Sequence, residues 1–406
     1  MNILIIHAHW HNRGDEAAIR AMVDSLTEKY PDAKIKVLMN NAEIMQFNYS
    51  GNVTAESVAY PRKRNLLIEG IPCILSKGKF IISERGKRFR KFVTDADIVL
   101  HAPGGPSIGD IYSDIELLYL YRLMLVKVLG KPYGFYAPSM GPFSKKSGLR
   151  NLIRKKVIDG ASIFCLREPI SAKYVTTLNC NNKPTVTLDS AFQYPVNEKE
   201  NAQKLKEYPE LDEFLKKNDK VVGITITDLT WNPKYEKEKN FADIIRNSFT
   251  KMITYLKEKG YAVLFIPQLF GVANDKEYME SFCQENCFVM DDTHDCYFQQ
   301  YIISKMYALI GMRYHSNIFS AKMGSPFLSI AYEQKMSGFM EKIGLTQYCI
   351  NALELSFDEL KSRFEILEDN HDKYKEYLES IKGNLAKESG KTTEIVIDFL
   401  EKNGIK

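Results

Sequence analysis

No stretch of this sequence stays apolar for long enough to cross a bilayer. The best candidate, residues 115–129, is interrupted by Arg122 and Lys127 and falls short of the roughly 20 apolar residues a spanning helix needs, so it reads as a buried helix. A secretory signal is missing too: the apolar run in MNILIIHAHW ends at Ile6 and no basic residue precedes it. The seven cysteines are an odd number at scattered positions, which excludes a secreted disulfide framework and suits reduced cytoplasmic thiols. Cys283, Cys287 and Cys296 lack a second close pair or a neighbouring His pair, so no metal site is expected. Nor does one sign of charge dominate: 55 basic residues face 51 acidic ones, a net +4, which disfavours a nucleic-acid partner. The expectation is a soluble cytoplasmic protein.

What the sequence has is rhythm. Asn2 to Ile6 is an apolar β-rich run, followed by the loop HAHWHNRGD, a helical pattern from Glu16 to Tyr30 and a second run, Ile35 to Met39. Ala96–His101, Pro132–Ala137, Ser162–Leu166 and Pro184–Leu188 repeat the pattern, with Gly/Pro loops at their carboxyl ends and helices at 115–129 and 148–159. Such alternation predicts a parallel sheet covered by helices. Residues 52–92 fit it poorly and are expected to form an irregular excursion or a lid. Residues 196–220 are charged and read as a linker. A second α/β series then runs from VVGITI through Ala262–Pro267, Cys287–Met290 and Ala308–Gly311 to Phe327–Ala331. The expected fold is α/β: two Rossmann-like domains facing across a cleft (GT-B-like), mostly parallel. Residues 1–195 form the acceptor side, 221–375 the donor side and 376–406 a helical tail.

The stretch GMRYHSNIFSAKMGSPFLSIAYEQK, 311–335, carries the chemistry best. A strand ends at Gly311, and Arg313 and His315 follow just before a helix that Ser316 or Asn317 could cap. A helix N-terminus with an arginine suits phosphate or carboxylate. A histidine there can pass a proton, and Lys335 follows the next strand. The plainer reading is a surface arginine and a helix-capping histidine. Asp15 and Asp110 could each accept a proton from a hydroxyl or simply cap a helix. Gly104 and Gly105 permit close approach to a ligand or make a tight turn. His7, His9 and His11 would share one face if the strand continued, and one of them is expected to line the acceptor cleft.

MRYHSNIFSAKMGSPFLSIAYEQKMSGFMEKIGL resembles the C-terminal signature of the polysaccharide pyruvyl transferase family. NRGDEAAI is similar to that family's opening element, GGPSIGD to its Gly-rich loop (Pro106 replacing a third glycine), and SMGP to its G-x-G-P loop (Ser139 replacing a glycine). LREPIS and LDSAF resemble two further elements. All occur in the expected order over residues 12–345. The resemblance implies a GT-B-like fold, no cofactor, phosphoenolpyruvate as donor substrate, and a glycan acceptor, free or lipid-linked. It implies His315 as the acid–base residue, with Asp15 or Asp110 accepting a second proton. Arg313, Lys335, Arg167 and Ser316 would hold the donor. Asn12, Gly14, Gly104 and Gly105 would form the acceptor loops, and Asp189 would support the structure behind them.

Two alternatives stay open: a nucleotide-sugar glycosyltransferase, whose acidic ligand residue would be Glu333, and a non-catalytic anion- or glycan-binding relative. The basic runs 77–91 and 145–156 read either as solvated surface or as a peripheral contact with the anionic inner leaflet. Acceptor identity and oligomeric state have no signature in the sequence.

Overall fold

The computed structural model describes residues 1–39, 47, 49–57, 66–230, 235, 240–270 and 274–405. The chain divides into two units, one of residues 1–10, 15–194 and 387–406, the other of residues 11–14 and 195–386.

The sheet of the first unit contains β1 (Asn2–Ile6), β2 (Lys34–Met39), β3 (Val53–Ser57), β4 (Ile98–His101), β6 (Tyr133–Phe135), β8 (Ile163–Leu166) and β9 (Thr185–Val186). Between these in sequence lie β5 (Gly104–Ile108) and β7 (Pro138–Met140), which pair with each other as a separate small ribbon. The order β3-β2-β1-β4-β6-β8-β9 is parallel throughout. Successive residues of a strand point to opposite faces. Ile3 and Ile5 therefore join Ile35, Val37, Ile98 and Leu100 on one face, under Ile19, Met22 and Leu26 of the helix Arg13–Lys29. Leu4, Ile6 and Val99 join Phe135, Phe164 and Leu166 on the other, under Leu120 and Leu123 of the helix Ser113–Val128. Both faces are covered, which is why these strands read as unbroken apolar runs.

The second unit holds β10 (Val221–Thr225), β11 (Ala262–Phe265), β12 (Cys287–Val289), β13 (Ala308–Gly311), β14 (Phe327–Ala331) and β15 (Cys349–Asn351). Their order, β12-β11-β10-β13-β14-β15, is again wholly parallel.

Three boundaries differ from the sequence-based expectation. Residues 196–220 are not a bare linker: they contain the helices Glu198–Lys206 and Pro209–Lys217, both in the second unit. They read as poorly apolar because each buries little beyond Leu205 or Leu211. Residues 376–406 are not a separate tail either. The 32-residue helix His371–Lys402 is continuous, and its last part belongs to the first unit, where Val396 and Leu400 enter the core with Ile19 and Met22. Finally, the excursion 52–92 includes β3 and the helices Ile71–Leu75 and Glu84–Asp95, while its residues 58–65 lie outside the described residues. Among the described residues no helix is long and apolar enough to cross a membrane.

Candidate functional site

In the second unit, the carboxyl end of β13 leads through Met312 into the helix Tyr314–Met323, with Arg313 as its N-cap. The backbone N–H groups of Met312 and Arg313 donate to Thr225 Oγ1 at 3.1 and 3.3 Å. The first turn is thereby tied to the end of β10. The Arg313 guanidinium meets a carboxylate the sequence reading missed. Its Nε donates to Asp275 Oδ2 at 3.1 Å and its Nη2 to Asp275 Oδ1. Asp275 also accepts from the N–H groups of Gln268, at 3.2 Å, and Leu269, at 3.0 Å. Burial works against the charge of Arg313, but Asp275 and the Tyr332 hydroxyl more than offset it, so the group stays cationic. Burial pushes the Tyr332 hydroxyl up, with Arg313 and Lys335 pulling the other way. Lys335 ion-pairs with Glu333 at 2.7 Å and lies over the Tyr314 ring, 5.5 Å from its centroid.

His315 follows Arg313 by two residues, is 7% exposed, and sets its ring edge-on to Tyr314 at 5.1 Å. A Cβ built on Gly14 would overlap that imidazole. Gly14 belongs to a short segment that runs antiparallel to residues 268–270. Asn12 bridges Leu269, Arg13 N donates to Gln268 O at 2.9 Å, and Phe270 N donates to His11 O at 2.9 Å. The Asn12 side chain accepts from Gly14 N at 2.9 Å, closing the turn. Gly14 thus stands against His315, and Asn12 and Gly14 belong to the second unit rather than to the domain of residues 1–195 expected from sequence.

Ser316 also departs from expectation. Its hydroxyl donates to Arg313 O at 2.7 Å and pairs with Thr225 Oγ1 at 2.8 Å, so it braces the turn under the site and is fully buried. Asn317 caps nothing; its amide donates to Ser329 Oγ at 2.9 Å.

The first unit holds the other residues that the sequence singles out. Its strand order reverses between β1 and β4, and ligands of such sheets sit outside the carboxyl ends at that point. Asp15, in the first turn of the helix Arg13–Lys29, lies against Gly104, whose φ is +134°; a Cβ there would stand 3.0 Å from Asp15 Oδ1. Gly105 meets no such constraint, since an added Cβ would reach open space. At the strand ends His7 stacks on Tyr119 with centroids 3.9 Å apart and meets His101 edge-on at 4.7 Å. His9 Nε2 lies 2.9 Å from Tyr119 Oη. Burial keeps His7 well below the ordinary histidine range and lowers His101 to about 4, so both rings are neutral. The three alternating histidines do not share a strand face, because β1 ends at Ile6 and His11 falls in the second unit.

Two expected site residues are committed elsewhere within this unit. Asp110 pairs with Arg154 Nη2 at 2.7 Å and accepts from Ser144 N. Burial would raise its carboxyl, but those donors outweigh it and hold it below the usual carboxylate range, the opposite of what a base requires. Arg154 also grips Glu116 at 2.7 Å. Arg167 is 3% exposed. Its Nη1 donates to Asp189 Oδ2 at 2.7 Å and its Nε to Ser139 Oγ at 2.8 Å. The SMGP, LREPIS and LDSAF stretches meet in this ion pair, which steadies the loops after β6, β8 and β9. Arg167 is therefore a buried brace rather than an open anion ligand. Among the described residues no group of three His, Cys, Asp or Glu side chains is placed to hold a metal ion.

The profile of one family, polysaccharide pyruvyl transferase, matches residues 12–334. AmsJ, an amylovoran biosynthesis protein of Erwinia amylovora, is 23% identical over 92% of this chain and 93% of its own. Among solved structures, a putative UDP-N-acetylglucosamine 2-epimerase from Listeria monocytogenes superposes with a TM-score of 0.64 at 10% identity, covering 100% of this chain and 97% of that one. UGT89C1 of Arabidopsis thaliana, crystallised with quercetin, gives 0.57 at 9% identity, covering 99% and 98%. These two likenesses show a shared GT-B-type fold.

Proposed function

This chain belongs to the polysaccharide pyruvyl transferase family, and we propose that it moves the pyruvyl group of phosphoenolpyruvate onto a pair of hydroxyls of a cell-surface glycan or its lipid-linked precursor. The observation that carries the reading is the grouping of Arg313, His315 and Lys335 at the carboxyl ends of β13 and β14, with Gly14 against His315.

Phosphoenolpyruvate carries about three negative charges near neutral pH. Arg313, held as a cation, and Lys335 offer donors for its phosphate and carboxylate. Two hydroxyl oxygens bond to C2 of the donor while the C2–O bond to phosphate breaks. Of the two hydroxyl protons, one ends on the methylene carbon, making it a methyl group, and the other leaves with phosphate. In this reading His315 delivers the proton to carbon. Asp15, beside Gly104 and without the arginine that claims Asp110, is the better candidate to accept a hydroxyl proton. The donor is a soluble metabolite of the cytoplasm, which is where the reaction would run. Glu333, the acidic residue the glycosyltransferase reading would need, pairs with Lys335 at 2.7 Å.

Thermal-shift titration of the purified protein tests the donor. Saturable protection by phosphoenolpyruvate, weakened in Lys335→Ala, supports the reading; protection by UDP- or GDP-sugars alone overturns it.

A further inference from the structure

The helix Gly148–Ile158 buries an arginine and leaves two leucines exposed, although Val157 and Ile158 at its end enter the core. Arg154 is buried in its pairing with Glu116, and Arg150 reaches the same carboxylate at 3.6 Å. Leu149 and Leu152, one turn apart, point away from the core and are 76% and 65% exposed. Lys156 continues their stripe, and Lys145 and Lys146 precede it, all exposed.

A second patch has the same chemistry. Ile68, Ile71, Leu75, Phe80 and Ile82 are each at least 45% exposed, with exposed Lys77 and Lys79 among them and Arg85, Lys87 and Arg88 following. The two patches occupy one layer. Cys73, Phe89 and Val93 from one side, and Val157 and Ile158 from the other, pack into the same core with Leu120 and Leu123 of the helix Ser113–Val128. Both patches therefore flank that helix on one face of the first sheet.

We propose that this face docks on an anionic lipid surface. Segments 66–92 and 144–156 together hold nine exposed cations against one exposed carboxylate, Glu84; the buried Arg154 and the half-buried Arg150 are spent on Glu116, and Arg88 pairs with Glu56. An apolar stripe rimmed by lysine and arginine matches the boundary between acyl chains and anionic headgroups, where each part finds its complement. A second copy of the face would oppose like charge to like charge. Nucleic acid would engage the cations but leave the leucines unrewarded. The inference stands on these side chains and is independent of the donor chemistry proposed above.

Co-sedimentation of the full chain with phosphatidylcholine vesicles, with and without phosphatidylglycerol, tests it. Binding is expected only to the anionic vesicles, weakening as salt is raised. Lys145→Ala/Lys146→Ala/Lys156→Ala should weaken it on the order of a hundredfold, and Leu149→Ser/Leu152→Ser by at least about tenfold, with unaltered melting temperatures because all five residues are exposed. No binding at low salt, equal binding to neutral vesicles, or binding by both variants equal to the parent would overturn the assignment. So would a salt-resistant dimer dissociated by Leu149→Ser, which would give the face to a second copy.

Discussion

The imidazole of His315 occupies the space in which residue 14 would carry a side chain. Gly14 belongs to a sequence motif near the amino terminus and His315 to one near the carboxyl terminus, yet both lie in the second unit. The contact explains the glycine of NRGD by steric exclusion rather than by a turn, since its φ is not in the left-handed region.

Gly14→Ala should therefore act on the histidine. The methyl group would displace the ring, costing about 1–3 kcal/mol of stability by overpacking and abolishing most phosphate release from phosphoenolpyruvate. Urea denaturation and a phosphate-release assay check the pair of effects. Unchanged turnover would mean that His315 can move without consequence.

His315→Gln preserves a polar side chain of similar reach but removes proton transfer near neutral pH. Turnover should fall by at least about a hundredfold, while circular dichroism and melting temperature stay near those of the parent. Activity close to normal would remove His315 from the chemistry.

Asp275 positions Arg313 and neutralises part of its field. Asp275→Ala would leave a buried guanidinium without its carboxylate and two backbone N–H groups without an acceptor. A stability loss of about 3 kcal/mol is expected in urea melts. The KM for phosphoenolpyruvate should rise more than kcat falls, because the remaining cation is present but misplaced; a pure kcat effect would argue against that role.

The buried His101 makes stability pH-dependent. Its folded value is about 4 against an ordinary 6.5, so below pH 6.5 the unfolded chain takes up a proton that the folded chain refuses. Its contribution is complete above that pH and is lost as pH falls towards 4. Between pH 6.5 and 5 the loss is about 1.5 kcal/mol from this residue alone, and His7 acts in the same direction. Urea melts across that interval should show a shallower slope in His101→Gln than in the parent.

Much of this arrangement is legible along the chain because its causes are local. Apolar runs buried on two faces, helices between them and glycine-rich loops at strand ends each leave a mark within about ten residues. The Arg313–His315 pair announces itself in the same way, standing between a strand and a helix. The short strands β3 and β15 escaped because Val53–Ser57 and Cys349–Asn351 contain few buried apolar residues.

Pairings between distant residues left no such mark. Asp275 opens the short polar helix Asp275–Glu280, 38 positions from Arg313. Arg167 and Asp110 look like open site residues in sequence, and only the fold shows their charges spent on Asp189 and Arg154. The exposure of Leu149 and Leu152 was equally hidden, because a basic amphipathic pattern does not say which residues meet the core. Residue type and spacing by themselves determined the α/β class and the family. Which ionic groups are engaged and which face outward was decided by tertiary structure, since burial and charge pairing depend on neighbours that the chain brings together only when it folds.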